Sequence, residues 1–338
     1  YGSDTFYSNI KTVFSIHNMR FQGRWKMREV ADITGLPEHI FNSNELEFYG
    51  EANYLKGGIV YADEITTVSP SYADEITTPE GGEGLDGLML ERRKHLSGIL
   101  NGIDYSVYNP AKDKYISCNF MSPDKDTNKP YGKELDKRDL QEKNGLKADK
   151  NAMLIGIVSR LTDQKGFDLI AYVMDEILET TDIQFCILGT GENQYEGMFH
   201  YFQSKYPDRL SVYIGYSEER AHQIYASCDA FLMPSLFEPC GLSQMMAMRY
   251  GTIPIVRETG GLKDTVEAYN EYENTGTGFS FTDYNAHDML HVIKYAESVF
   301  KNNKKAWNEM MIRDMNKDFS WDASARRYEA LYDKLTEK

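Results

Sequence analysis

Two cationic residues in the segment SRLTDQKG have the charge and spacing to bind one anion together. Arg160 and Lys165 stand where an apolar run rich in β-branched residues changes to a helical pattern. Both side chains then lie near the end of one strand, so they can converge on a doubly charged group such as a diphosphate. Alternatively, the segment is a solvated loop in which this Arg and Lys are incidental.

A carboxylate follows a later apolar run. Glu238 lies in FEPCGLSQ, between the run FLMPS and a helical pattern of Leu, Met and Ala. At the end of a strand in an α/β sheet, such a side chain is placed to contact a ligand. The alternative is structural, because an acid in the first turn of a helix stabilises the helix dipole.

Weaker signals accompany these charged residues. The glycine-rich segments Gly189-Thr190-Gly191 and Thr259-Gly260-Gly261 predict turns that allow close backbone approach, and the second opens a helix whose terminal amides attract phosphate. Tyr216 offers an aromatic face after another apolar run, and His17 follows a strand near the start of the chain. Each also has an ordinary interpretation: glycines for packing, a half-exposed packing tyrosine, and a histidine satisfied within a core or loop.

Five short apolar runs separated by helical patterns must position these residues. This alternation predicts a parallel, doubly wound α/β sheet with helices on both faces. Each run ends in small, polar or charged residues, and ligands bind at the carboxyl ends of such strands. The runs are NAMLIGIVSR, IQFCILGTG, LSVYIGY, DAFLMPS and TIPIVRETG.

The first third of the chain predicts the same alternation. A strand is expected over KTVFSIH (Lys11 to His17) and another over Glu64 to Val68. The second is followed by a helix with Ser69 as its cap and Pro70 at its first position. A domain boundary is expected just after Asp104, and a helix over Lys133 to Lys143 follows a charged segment.

Composition excludes several classes of partner and site. The formal charge of −15 argues against nucleic acid or an anionic membrane as the main partner. No apolar stretch is long enough to span a bilayer, and no secretory signal is visible, so a cytoplasmic location is predicted. The cysteines lack metal-ligand spacing and are expected to be reduced thiols, which predicts no metal site; they are Cys118, Cys186, Cys228 and Cys240.

Taken together in order, eight segments resemble the bacterial ADP-glucose-dependent glycogen and starch synthases. They are IHNMRFQG, LEFYGEANYLKGGIVYADEITTVSPSYADEI, LSGILNGID, VSRLTDQKG, IGYSEE, PSLFEPCGLSQ, TGGLKDTV and DFSWDASA. The resemblance implies the GT-B architecture, in which two Rossmann-like lobes face a cleft. Residues 105–320 would form the C-terminal lobe, which binds the nucleotide-sugar. Residues 1–104 and 321–338 would be an incomplete acceptor-side lobe and the returning helix, DFSWDASARRYEALYDKL.

The resemblance also implies an activity. Glucose would pass from ADP-glucose to the non-reducing end of an α-1,4-glucan, with retention of configuration by same-face attack and the leaving phosphate as base. No cofactor or metal is implied. The open alternatives are another GT-B glucosyltransferase that uses UDP-glucose, a sucrose- or phosphorylase-type enzyme, and a glucan- or nucleotide-binding module without turnover.

Site residues follow from the matching motifs. Arg160 and Lys165 would neutralise the diphosphate, Glu238 would lie beside the donor glucose, His17 would meet that glucose, and Tyr216 would stack on adenine. The further implied contacts are Cys240, Gly241, Leu242, Ser243, Thr259, Gly260, Gly261 and, in the interdomain turn, Asn101.

The chain departs from the family pattern in two places. The family's N-terminal Lys-x-Gly-Gly loop has no counterpart, so an N-terminal truncation is expected, and the fragment itself is expected to be inactive if those strands are needed. Lys56-Gly57-Gly58 lacks the spacer residue and is interpreted as the end of a packing helix. Met246 stands where many other retaining GT-B enzymes carry a second glutamate, which favours the synthases.

Overall fold

The computed structural model describes residues 7, 9–122 and 131–336. They form two compact units: the described residues up to Asn101 together with those from Ser324 onward, and the described residues from Gly102 to Ala323. The domain boundaries predicted from the sequence, after Asp104 and before Trp321, stay predictions. Residues 123–130 of the charged segment predicted before the Lys133 helix lie outside the described residues. Within the described residues, no helix combines the length and apolar character needed to cross a membrane.

The first unit holds a parallel sheet of order β1-β5-β6 and a small antiparallel sheet of order β2-β4-β3. Its strands are β1 (Val13–Ile16), β2 (Arg24–Trp25), β3 (Glu47–Phe48), β4 (Glu51–Asn53), β5 (Glu64–Thr67) and β6 (Leu96–Gly98). The helices before Asn101 are α1 (Met27–Thr34), α2 (Tyr54–Tyr61), α3 (Pro70–Glu75) and α4 (Asp86–Glu91), with short 3-10 turns at Glu38–Ile40 and Arg93–His95.

Two helices of this unit, α2 and α3, begin at capping side chains. The Ser69 side chain accepts a hydrogen bond from the Tyr72 amide at 3.2 Å, and Pro70 occupies the first helical position, as predicted. The interpretation of Lys56-Gly57-Gly58 as a helix end is wrong. Asn53 caps α2 by accepting from the Lys56 amide at 2.9 Å, so the tripeptide lies near the start of that helix. A Cβ on Gly58 would lie 2.4 Å from the Phe14 ring, which explains a glycine inside a helix.

The second unit is built on one six-stranded parallel sheet of order β12-β11-β10-β7-β8-β9. Its strands are β7 (Leu154–Leu161), β8 (Gln184–Gly191), β9 (Leu210–Ile214), β10 (Ala230–Met233), β11 (Ile253–Arg257) and β12 (Phe279–Phe281). The helices are α5 (Tyr131–Lys143), α6 (Phe167–Thr180), α7 (Asn193–Lys205), α8 (Glu218–Ser227), α9 (Ser243–Arg249), α10 (Gly260–Thr265), α11 (Ala286–Asn302) and α12 (Lys304–Asn316), with a 3-10 turn at Asp163–Lys165.

All five predicted strands are present in this sheet, and the strand order reverses at β7 as in a doubly wound fold. Ile155, Phe231 and Ile255, on three adjacent strands, are fully buried, which is why these strands read as apolar runs. The sequence analysis missed β12 because that strand has only three residues. It pairs with β11 through Ile255 opposite Phe279.

The last helix, α13 (Trp321–Thr336), begins in the second unit and continues in the first. Just before it, the Ile103 amide donates to the Phe319 carbonyl at 2.8 Å within the second unit. Within the first unit, the Ser324 hydroxyl donates to the Leu100 carbonyl at 2.6 Å. The predicted C-terminal helix is thus present and is held at its start by hydrogen bonds to the segment that joins the units.

A buried carboxylate on α12 predicts a pH-dependent stability. Asp314 is 1% exposed, and neither of its side-chain oxygens has a hydrogen-bond partner within the described residues. Burial raises its pKa well above the ordinary 3.8, although Lys317 and Arg313 act in the opposite direction. The folded protein therefore binds this proton more tightly than the unfolded chain. The contribution of Asp314 to stability is full below pH 3.8 and is lost as the pH rises toward the folded pKa.

Asp314→Asn removes this titration. We expect the advantage of this variant in stability over the wild type to grow as the pH rises from 5 to 8, because the wild type loses the proton that stabilises the buried carboxyl. Thermal unfolding across that range, followed by circular dichroism, measures the difference. Parallel curves for the two proteins would contradict the expectation.

Candidate functional site

The centre of the candidate site is a buried ion pair. Lys165 Nζ donates to Glu238 Oε2 at 2.5 Å, and the two side chains are only 15% and 9% exposed. The Ser235 hydroxyl donates to the same carboxylate oxygen at 3.1 Å. Glu238 lies five positions before the first residue of α9, outside the first turn of that helix, so the helix-dipole interpretation does not hold. Two residues that the sequence analysis selected separately therefore meet.

Backbone contacts between two loops bring the pair together. The 3-10 turn Asp163–Lys165 lies against the loop after β10: the Leu236 amide donates to the Gln164 carbonyl at 2.9 Å, and Gln164 Nε2 donates to the Phe237 carbonyl at 3.1 Å. Gly166, in the left-handed region at φ +73°, allows this approach, because a Cβ there would lie 2.1 Å from the Pro234 carbonyl oxygen. The sequence analysis missed the positioning roles of Gln164 and Ser235.

The segment Thr259-Gly260-Gly261, at the start of α10, packs directly on the Glu238 loop. The Gly261 amide donates to the Glu238 carbonyl at 3.0 Å. A Cβ on Gly260 would lie 2.1 Å from that carbonyl oxygen, and one on Gly261 would lie 1.9 Å from the Cys240 carbonyl oxygen. These distances leave no space for a side chain, so the two glycines are required by the contact between the start of α10 and the Glu238 loop.

The residues after Glu238 lead into α9. Cys240 is buried, whereas Leu242 is 39% exposed. Gly241 has φ +67°, a left-handed conformation that favours glycine. Ser243, the first residue of α9, hydrogen-bonds the Tyr225 hydroxyl. The predicted contacts after Glu238 thus form one short loop beside the ion pair.

Arg160 lies near the end of β7 with an exposed side chain. Its guanidinium makes no hydrogen bond or ion pair within residues 7, 9–122 and 131–336, so it is available to an anion. The predicted turn at Gly189-Thr190-Gly191 is wrong. These residues extend β8, where Arg160 pairs with Thr190. A Cβ on Gly189 would lie 2.2 Å from the Ser159 carbonyl oxygen, so this glycine serves strand packing.

Tyr216 follows β9, the edge strand of the sheet, and is 88% exposed. The alternative of a half-exposed packing tyrosine therefore does not fit. Gly215, before it, has φ +150°. An aromatic ring exposed to this extent at the carboxyl edge of the sheet offers a free face to a flat ligand.

His17 and Asn101 belong to the first unit. His17 follows β1 directly and is exposed, and Asn101 is half-buried after β6. The Thr67 hydroxyl donates to the Ile16 carbonyl at 2.8 Å, which fixes the strand end just before His17. Their implied contacts with a bound sugar stay predictions.

A second cluster with chemically capable residues is structural. Asp113, 6% exposed, accepts from His222 Nδ1 at 2.6 Å and from the Tyr250 hydroxyl. Burial raises the pKa of Asp113, but the hydrogen bonds from His222, Tyr250 and the Tyr115 amide, together with the charge of His222, hold that pKa below its ordinary value. The Tyr108 ring stacks on His222 with centroids 4.7 Å apart. Because Asp113, His222 and Tyr250 are all buried, the cluster fixes the segment that carries Asp113 to α8 and to the residue that follows α9.

A cavity of about 640 Å³ lies at the opposite edge of the sheet, near the start of β7 and β10. Its most buried cations are already paired. Lys133 donates to the Ala226 carbonyl, the Tyr250 carbonyl and Thr252 Oγ1. Lys137 donates to Asp229 at 2.6 Å. The ion pair and glycine loops therefore define the candidate site better than cavity volume does.

Comparison with known proteins identifies the family. A model described as starch synthase catalytic domain matches residues 1–91, and one described as glycosyl transferases group 1 matches residues 136–309. A glycogen synthase of Lachnospira eligens is 59% identical over 332 residues, which cover 98% of this chain and 68% of that protein. Glycogen synthases of Lachnoclostridium phytofermentans and Anoxybacillus flavithermus are 55% and 50% identical, over 98% and 99% of this chain and 68% of each relative.

Solved structures agree with this assignment. The catalytic domain of starch synthase IV from Arabidopsis thaliana, bound to ADP and acarbose, matches with a TM-score of 0.90 and 33% identity over 100% of this chain and 70% of that one. The Anabaena protein HepE, in complex with UDP and glucose, matches over 97% of this chain and 73% of its own at 16% identity and a TM-score of 0.59, which shows the fold alone. The chain therefore belongs to the glycogen synthase family, whose members are glycosyltransferases of the GT-B fold.

Proposed function

We propose that the protein transfers glucose from ADP-glucose to the non-reducing end of an α-1,4-glucan with retention of configuration. The observation that carries this proposal is the Lys165–Glu238 ion pair at the carboxyl edge of the parallel sheet, where the glycines at the start of α10 pack against the Glu238 loop. Family membership supports the choice of reaction, and the related starch synthase IV was solved with ADP and acarbose bound.

In this proposal, the two cations act on the leaving group. Departure of ADP develops negative charge on the diphosphate, and fixed positive groups stabilise that charge when they are already in place. Lys165 Nζ has three N–H groups and uses one for Glu238, which leaves others for a phosphate oxygen. Arg160 adds an exposed guanidinium, whose planar fork suits phosphate oxygens.

Glu238 acts on the sugar side. Its carboxylate receives hydrogen bonds from Lys165 and Ser235, so it is held in one orientation. A fixed negative group beside the donor glucose stabilises the positive charge that develops at the anomeric carbon as the bond to phosphate breaks. Attack by the glucan on the same face, with the leaving phosphate as base, gives retention without a covalent enzyme intermediate.

The adenine and the glucose of the donor would be recognised by residues around the Lys165–Glu238 ion pair. The exposed ring of Tyr216 would stack on adenine, and Cys240 to Ser243 with Thr259 to Gly261 would line the glucose and phosphates. His17 and Asn101 are proposed as further contacts of the sugar. Since a tyrosine face stacks on any base, UDP-glucose is the alternative donor that a test must include. The cytoplasmic location predicted from the sequence stays a prediction.

The test is transfer of radiolabelled glucose to glycogen by the full-length protein, with ADP-glucose and UDP-glucose supplied separately. We expect transfer from ADP-glucose, and we expect Lys165→Ala to lower kcat by at least about tenfold because it removes a fixed cation from the leaving group. If glucose is transferred from UDP-glucose and not from ADP-glucose, the donor is UDP-glucose and the proposed donor is wrong. A folded full-length protein that transfers from neither donor would favour a binding module without turnover.

A further inference from the structure

One arginine outside the predicted site ties three strand ends together. Arg257, the last residue of β11, donates through Nε to the Ser235 carbonyl at 2.8 Å and through Nη2 to the Leu236 carbonyl. Its Nη1 donates to the Thr282 carbonyl at 3.1 Å, just after β12. Its guanidinium thus binds the backbone that leads directly from β10 to Glu238.

We propose that Arg257 is a positioning residue for the reaction, acting through Ser235 on the Glu238 carboxylate. The Ser235 carbonyl accepts from Arg257, and the Ser235 hydroxyl donates to Glu238 Oε2 at 3.1 Å. Ser235 therefore accepts a hydrogen bond from the arginine through its backbone carbonyl and orients the Glu238 carboxylate through its hydroxyl. The inference rests on the proposed function, since it assigns Glu238 to the reaction centre.

The same arginine is linked to the other member of the ion pair. Its guanidinium carbon lies 5.7 Å from the centre of the Tyr284 ring, and the Tyr284 hydroxyl donates to Asp168 Oδ1 at 2.5 Å. Asp168 is in the first turn of α6, three residues after Lys165. The contacts thus form a chain from Lys165 to Asp168 through Glu238, Ser235, Arg257 and Tyr284. Its two ends, Lys165 and Asp168, lie three residues apart along the backbone.

Arginine is the residue that this geometry requires. The planar guanidinium presents N–H groups in fixed directions and reaches three carbonyls at once, whereas a lysine ammonium is a point charge on a flexible chain. Arg257→Lys should keep the charge and lose part of the bridge. Arg257→Ala should release the Ser235–Glu238 loop completely.

The experiment measures kcat, KM for ADP-glucose and thermal stability of the full-length protein. Arg257→Ala should lower kcat by roughly 30-fold and Arg257→Lys by a smaller factor, because small displacements of a reacting group are costly in rate. Both variants should change KM for ADP-glucose less than threefold. In a background of Glu238→Gln, Arg257→Ala should lower kcat no further, since residues that act as one unit are not additive.

Arg209 provides a matched control. It is half-buried in the same unit and donates to the backbone carbonyls of Ile183 at 3.0 Å and Thr181 at 2.8 Å, but it stands at the amino end of β9. Arg209→Ala should lose comparable thermal stability and keep the wild-type kcat. The inference is overturned if Arg257→Ala and Arg209→Ala lower kcat equally. It is also overturned if Arg257→Ala lowers kcat by the same factor in the Glu238→Gln background as in the wild type. A wild type without transfer activity would instead contradict the proposed function.

Discussion

Glu238→Gln is expected to lower kcat by about 10³-fold while the protein stays folded. The substitution keeps the size of the side chain and removes the negative charge that we place beside the anomeric carbon, and fixed electrostatic groups of this kind are worth 10²–10³ or more in rate. It also leaves Lys165, 15% exposed, without its ionic partner, so a loss of thermal stability is expected as well. Steady-state kinetics with ADP-glucose and glycogen, together with thermal unfolding, separate the two effects.

Glu196→Gln is the control for this substitution. Glu196 lies in the first turn of α7 and accepts from the Gly191 amide at 2.9 Å and the Thr190 hydroxyl at 2.8 Å, at the same edge of the sheet. The Glu196→Gln variant therefore loses a hydrogen-bonded carboxylate near β8 but keeps the Lys165–Glu238 ion pair. Its kcat should match that of the wild type. A Glu238→Gln enzyme with kcat within a few-fold of wild type would remove Glu238 from the reaction centre.

Gly261→Ala is expected to lower kcat by at least about 10²-fold. A Cβ at this position would lie 1.9 Å from the Cys240 carbonyl oxygen, which is backbone and cannot turn aside as a flexible side chain can. The start of α10 must therefore move away from the Glu238 loop. A displacement of about 1 Å near reacting groups costs on the order of 10²-fold in rate. The same kinetic assay measures the loss, and circular dichroism shows whether the sheet is retained.

Gly197→Ala is the control for Gly261→Ala, because it adds the same methyl group at a position where there is space for it. Beyond its chain neighbours and the backbone of its own helix, no heavy atom of the described residues lies within 4 Å of a Cβ built on Gly197, in α7. Alanine there should raise helix stability slightly and leave kcat unchanged. If the Gly261→Ala variant has the same kcat as the Gly197→Ala variant, the segment that carries Gly261 tolerates displacement and does not border the substrate.

Much of the second unit was predictable because its strands are buried on both faces. Fully buried parallel strands are continuous apolar runs, and helices between them follow from their own periodicity, so five strands and their shared edge could be predicted. The three-residue strand β12 is too short for such a signal. Gly189-Thr190-Gly191 was misassigned because glycine marks turns in sequence and close strand packing in this structure.

The candidate residues were predictable to a different extent. Lys165 and Glu238 were found from strand ends and from the family motifs, yet nothing in their spacing places one within 2.5 Å of the other. Their contact depends on Gly166 and Gln164, which bring the turn after β7 against the loop after β10. Arg257 carried no signal, because its role consists of hydrogen bonds to backbone carbonyls, which do not depend on the identity of the residues that supply them.

The amino-acid sequence alone determined the α/β class, the strand ends that carry polar residues and the family, because burial and local backbone preference leave periodic patterns in a chain. The pairing of Lys165 with Glu238, the packing of Gly260 and Gly261 on the next loop and the bridge made by Arg257 came only from the folded structure. These contacts join segments that are tens of residues apart, and their energies depend on distances of a few ångströms that no local pattern encodes.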